Sequence, residues 1–288
     1  MEAVDISSLV AKVPRRDSIG SAQYEELKAA SAAGDVGRVR RLFDSTKPDS
    51  REGNYLLLLA QRNGHIRVTR HLVSHGIPIE ANRVRDAIAA SDYRSLSLFL
   101  DNGYDINQPK AWCTPSVLIH AFDNEDLCRW LLDRGADPNA RCILDVSPLS
   151  IAVREAPLAI IKLLLQRGGS IECGQLLHYA VARDEPDYLE VLDFLLNKGL
   201  SAHINRVMFT NDRISYEWQK AFGIGTPLHH AADDGKLDLV DALISWGADP
   251  SVKDERGKLA IDRSRWNERM EVVERLRGLR LLKNSAHL

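Results

Sequence analysis

The side chains best suited to chemistry here are nine histidines and four cysteines, and their spacing argues against most of the chemistry they could do. Cys113, Cys128, Cys142 and Cys173 form no Cys-x-x-Cys pair and have no histidine at zinc-finger spacing, so a metal site is not expected and the thiols read as reduced. There is no His-Glu-x-x-His helix and no Gly-x-Ser-x-Gly elbow. Gly223-Ile224-Gly225 lacks the third glycine of a dinucleotide fingerprint. Gly235-Lys236 and Gly257-Lys258 lack the upstream glycine and following Ser/Thr of a phosphate loop. The expectation is no catalytic residue and no cofactor. The alternative of a different class, an enzyme with a site in a groove, would require turnover that depends on His229 or His178.

The elements carrying those histidines are short and repeated. In Thr226-Pro227-Leu228-His229-His230-Ala231-Ala232, Thr226 offers a hydroxyl to cap a helix. Pro227 suits the first helical position, where an N–H has no intrahelical partner. Gly235 turns the chain, Leu239, Val240, Leu243 and Ile244 recur at helical spacing, and Gly247 ends a second helix before Ala248-Asp249-Pro250. Ser147-Pro148 leads to Gly168, and Thr114-Pro115 to Gly135, at the same 21-residue interval as Thr226 to Gly247. Weaker copies include Leu177-His178-Tyr179-Ala180 through Gly199, Ala87 through Gly103, Ala60 through Gly76 and Tyr24 to Asp44. The frame restarts at Leu259, 33 residues after Thr226.

These motifs resemble the ankyrin repeat, with its Thr-Pro-Leu-His-x-Ala helix start, inter-helix glycine and Gly-Ala-Asp close. The resemblance implies an all-α solenoid of helix-turn-helix units joined by β-hairpin loops, about eight repeats including caps. It spans residues 24–283, with a C-terminal cap at 254–283, an N-terminal tail over 1–23 and a short tail over 284–288. At the ankyrin histidine position, His178 and His229 are expected to orient turns. The resemblance further implies a protein-binding scaffold or regulatory adaptor, with a nuclear co-regulator acting through protein contacts as the runner-up.

The frame is broken over residues 200–225. Gly199 to Thr226 is 27 residues, whereas Gly135 to Ser147 is 12, so this connection is longer by 15. Long connections inside compact domains are functional or disordered, and Phe209, Tyr216, Trp218 and Phe222 argue against disorder. Val207 and Phe209 alternate on one side of Asn211-Asp212, and Ile214, Tyr216 and Trp218 on the other. The pattern predicts a β-hairpin finger, whose aromatics either meet a partner or fold back on neighbouring helices. An extended hairpin insertion is also a point of resemblance to ankyrin arrays of filamentous fungi. Repeat geometry places Trp112, Phe122, Arg154, Glu155, Arg183, Asp233 and Asp234 on the groove face.

Hydrophobic residues are 44% and charged residues 27% of the chain, with a net charge of −2, an ordinary soluble balance. Residues 1–98, 99–255 and 256–288 nevertheless carry net charges of +3, −10 and +5. That distribution reads as solvated repeat surface, or as an acidic middle that steers a basic partner segment. The arginines of the last helix alternate with Glu268, Glu271 and Glu274, which favours pairing along the helix over a phosphate track. The expected partner is a protein or peptide, not nucleic acid, and the chain is expected to be a monomer. Without a signal-like stretch in the first 20 residues, a run of about 18 apolar residues or an Asn-x-Ser/Thr acceptor, the reading is an intracellular protein, cytoplasmic or nuclear, with no membrane contact. Arg15-Arg16-Asp17-Ser18 would suit a basophilic kinase.

Overall fold

The computed structural model describes residues 18–285, so the tail over 1–17, with most of the kinase-like motif, lies outside the described residues. The chain forms two compact units that divide between Tyr104 and Asp105.

The first unit contains α1 (Ser18–Ala33), α2 (Val36–Thr46), α3 (Ser50–Arg62), α4 (Ile66–Ser74), α5 (Ala81–Ala89) and α6 (Tyr93–Asp101). The first helix begins inside the stretch read as a tail. Aspartates start three of these helices. Asp49 and Glu52 form a reciprocal box on α3, and Asp35 and Asp92 accept from the first turns of α2 and α6. Leu27, Leu56, Leu57, Leu72 and Phe99 fill the centre.

In the second unit a 3-10 turn (Val117–Ala121) is followed by α7 (Glu125–Asp133), α8 (Pro148–Glu155), α9 (Leu158–Gln166), α10 (Leu176–Val181) and α11 (Tyr188–Asn197). After the insertion come α13 (Pro227–Asp234), α14 (Leu237–Ser245), α15 (Ala260–Trp266) and α16 (Met270–Ser285); α12 (Arg213–Gln219) lies within the insertion. The inner helices α8, α10, α13 and α15 pack in sequence, each on the next. Their small residues Ala152, Ala180 and Ala231 are fully buried, which lets the helices approach closely.

Side chains tie successive repeats by one recurring device. Asn107 accepts from the Asp137 N–H at 2.8 Å and donates to the Gly135 carbonyl at 2.9 Å. Asn139 does the same to Ser170 and Gly168, and Asn205 to Asp249 and Gly247. Both groups that the asparagine meets lie at a helix end, where Gly135, Gly168 and Gly247 take φ of 94 to 97° and close the outer helix.

The expected β-hairpin loops form as turns: no strand occurs among the described residues, and one isolated bridge joins Ala111 to Thr114. Thr114-Pro115 also does not start its helix. Ser116 stands at the helix start instead, because Thr114 is held in that bridge. Ser147 and Thr226 do occupy the cap positions expected of them, with Pro148 and Pro227 following, and Gly235 closes α13 at a φ of 74°.

A candidate protein-interaction groove

Residues 200–225 fold as a helical insertion and not as a hairpin finger. They comprise short 3-10 turns at Leu200–His203 and Lys220–Phe222 around α12. Two local features override the strand-like alternation. Phe209 sits in the left-handed region at φ 63°, which breaks an extended run, and the Asp212 carboxylate accepts from the Ser215 N–H and starts a helix. Burial acts to raise the Asp212 carboxyl, but hydrogen bonds from Ser215 and Arg141 outweigh it and hold it below its ordinary value.

The insertion is fixed to loop tips of the repeats by buried polar groups. The Ser215 hydroxyl takes the Asp145 N–H at 2.8 Å, and Arg141 reaches Asp212 at 2.6 Å. Gln175 is the hub. Its amide NH2 donates to Asp145 at 2.6 Å and to Asn211 at 2.7 Å, and its carbonyl accepts the Phe209 N–H at 2.9 Å. Gln175 is itself left-handed at φ 53°, so the network holds two residues in costly backbone conformations. At the other end the Tyr216 hydroxyl donates to Glu255 at 2.6 Å.

Between the insertion and the inner helices lies an open groove of about 380 Å³, floored by Leu144, Val146, Tyr179, Met208, Phe222 and Ile224. The Trp112 and Trp218 rings, 51% and 52% exposed, lie 6.1 Å apart, and Phe222 is 73% exposed. Arg154 lies over the Tyr179 ring at 5.9 Å and pairs with Glu155. Burial pushes the Tyr179 hydroxyl up to about 12 and His230 down to about 4, so both are neutral at pH 7. The groove therefore presents apolar and neutral polar surface, with Arg263, paired to Asp233, as the charged side chain of its lining among the described residues.

The structure separates the expected contact residues. Trp112, Arg154, Glu155, Tyr216, Trp218, Phe222, Asp233 and Asp234 retain accessible surface. Phe122 and Arg183 do not, which corrects their placement at a contact surface, and Phe209, 4% exposed, keeps only an edge in the groove's lining. Phe122 closes the 3-10 turn and points into the core. Phe209 is carried inward by its left-handed backbone. Arg183, 1% exposed, donates to Asp187 at 2.7 Å and to the Val153 carbonyl at 3.2 Å, because the lengthened turn after α10 supplies a partly exposed carboxylate beside it. Asp233 is engaged by Arg263. The Asp234 carboxyl is raised, first by burial and then by its neighbours Asp233 and Asp184.

The histidines do bind turns. His229 accepts from the Thr226 N–H through Nδ1, so Nε2 carries the proton that goes to the Lys258 carbonyl at 3.1 Å. His178 meets the Gly225 carbonyl, and Ser150 at the equivalent position donates to Gly174. Burial pushes the Cys142 and Cys173 thiols up, away from the reactive thiolate. Among the described residues no three His, Cys, Asp or Glu side chains gather as a metal site, and no helix is long and apolar enough to cross a membrane.

Trp266 escaped the sequence reading. It ends the inner helix α15, seven residues after Leu259 as Asp233 is seven after Thr226, and is 88% exposed. That register was the available signal.

Stacked helix pairs with an open inner face define a helical repeat protein built for contact with other macromolecules. The family model for ankyrin repeats in three copies matches residues 120–208, and that for the single ankyrin repeat matches residues 225–255. Ankyrin repeat protein nuc-2 of Neurospora crassa is 30% identical over 151 residues, 51% of this chain and 13% of that protein. Putative ankyrin repeat protein FPV018 of fowlpox virus is 22% identical over 231 residues, 69% of this chain and 31% of the viral protein. Ankyrin repeat and KH domain-containing protein mask-1 of Caenorhabditis elegans is 27% identical over 239 residues, 76% of this chain but 8% of its own length. The chain thus spans less than a third of each of these relatives. It is an ankyrin-repeat protein, and such repeats are scaffolds for protein partners.

Proposed function

We propose that this chain is a scaffold or regulatory adaptor without a catalytic step, and that it binds a protein partner through the groove between the insertion and α10. One observation carries the reading. The insertion is locked by a buried polar network, yet Phe222, in the groove's own lining, stays 73% exposed and Trp218, next to the lining residue Gln219, 52% exposed. A rigid mount presenting large aromatic side chains loses little conformational entropy on binding, which is the condition for interface hot spots.

The test uses the parent chain and a Trp218→Ala, Phe222→Ala variant as baits in extract from the native cell. Both side chains face solvent, so thermal stability should differ by no more than about 1 kcal/mol. The proposal expects a specific protein to be lost from the variant. Equal recovery by two equally stable baits would remove the groove from the account.

A further inference from the structure

A second cluster, made of residues outside the groove, stands on the outer helices of the first unit. There α2 and α4 pack on each other and line an open hollow of about 430 Å³, with Arg40 and Asp44 on one side and Arg67, Arg70, His71 and Ser74 on the other. The α4 residues recur at i, i+3, i+4 and i+7, so they share one face of their helix. These arginines differ from those on the outer helices of the second unit, where Arg167 pairs with Asp133 and Arg275 with Asp241, each across adjacent repeats. Arg40, Arg67 and Arg70 are exposed and make no ion pair among the described residues, and neither does Asp44.

We propose that this hollow binds a phosphate dianion, free or as a monoester. Three arginines against one aspartate leave the lining a charge of +2, which a dianion balances and a carboxylate does not. Guanidinium forks also match phosphate oxygens in pairs. His71 supplies the floor. It is 9% exposed, its ring lies 3.9 Å from that of His75 and 5.7 Å from that of Phe43, and its Nε2 meets no hydrogen-bond partner among the described residues. Buried polar atoms are rarely left so, and an anion oxygen beside the arginines gives a protonated Nε2 its acceptor. An adjoining hollow of about 350 Å³ shares Asp44 and His75 and adds Lys47, Phe43, Pro48 and Ile77, which gives the apolar group of an ester a surface to lie on.

Phenyl phosphate, inorganic phosphate and benzoate are titrated into the full chain and followed by NMR at the imidazole nitrogens of His71 and His75. Phenyl phosphate is expected to shift both and to saturate, to bind at least about tenfold more tightly than benzoate, and to weaken as salt is raised. Arg67→Gln, Arg70→Gln, at exposed positions where the fold should be unaffected, is expected to lower its affinity at least about tenfold. Arg129→Gln, on the outer helix α7 and already paired with Glu125, should leave that affinity unchanged, and Asp44→Asn should raise it. Inorganic phosphate binding more weakly than phenyl phosphate assigns the site to esters, and equal or tighter binding assigns it to the free ion. No saturable shift at His71, benzoate binding as tightly as phenyl phosphate, or indifference to the loss of Arg67 and Arg70 overturns the inference.

Discussion

Gln175→Ala should release the insertion while leaving the repeats folded. The substitution removes a charge-assisted bond to Asp145 at 2.6 Å and strands the buried Phe209 N–H, now held at 2.9 Å. The first loss costs about 1.5–3 kcal/mol and the second about 1–3 kcal/mol, together roughly 3–5 kcal/mol. Alanine keeps the strain of a side chain at φ 53°. Gln175→Gly loses the same bonds but relieves roughly 1–2 kcal/mol of that strain. The expected order of insertion stability is therefore parent, then glycine, then alanine. Hydrogen exchange read by mass spectrometry on peptides covering residues 205–222 measures it directly. At 1.4 kcal/mol per factor of ten, protection there should fall about a hundredfold or more in the alanine variant. Peptides from α8 and α9 should change far less, because local openings in repeat proteins need not be global. Unchanged exchange over 205–222, or alanine more protected than glycine, would refute the network as the lock.

Two other outcomes follow from burial. Arg183→Ala removes the Asp187 pair and leaves the Val153 carbonyl without its donor. It should cost about 2–3 kcal/mol in a urea titration, less than a fully buried pair because Asp187 is partly exposed. Capture of the partner by the folded fraction should be unaltered, and a capture defect without loss of stability would restore Arg183 to the contact surface. Burial lowers the pKa of His178, His229 and His230, the last to about 4. The unfolded chain takes up these protons near the ordinary value of about 6.5 and the folded chain does not. Their stabilising effect is thus full above pH 6.5 and is lost as pH falls towards 4. Between pH 7 and 5 the loss from His230 should be roughly 2 kcal/mol, with His178 and His229 adding to it in the same direction, shown by a lower urea midpoint. An equal midpoint at both pH values would contradict the buried neutral histidines.

The repeats were legible because their signals are local. Thr226-Pro227, Ser147-Pro148 and the left-handed glycines each fix one helix end within a few residues, and the 21-residue interval repeats them. The insertion misled because Ile214, Tyr216 and Trp218 alternate as a strand would, while the deciding bond, Asp212 to the Ser215 N–H, is a single short cap. Its lock could not be seen at all, since Asp145 and Ser215 stand 70 residues apart and Gln175 and Phe209 stand 34 apart. Arg183 was misplaced for a similar reason: its partners, Asp187 and the Val153 carbonyl, lie respectively in a lengthened turn and in the preceding repeat.

Site-specific photo-crosslinking tests the central claim most directly. A benzoylphenylalanine at position 218 or 222 reports on the groove, and one at Leu189, exposed on the outer helix α11, reports on surface outside the groove's lining. The account predicts that the captured protein is crosslinked from 218 and 222 and not from 189; crosslinks from 189 with none from 218 or 222 would contradict it.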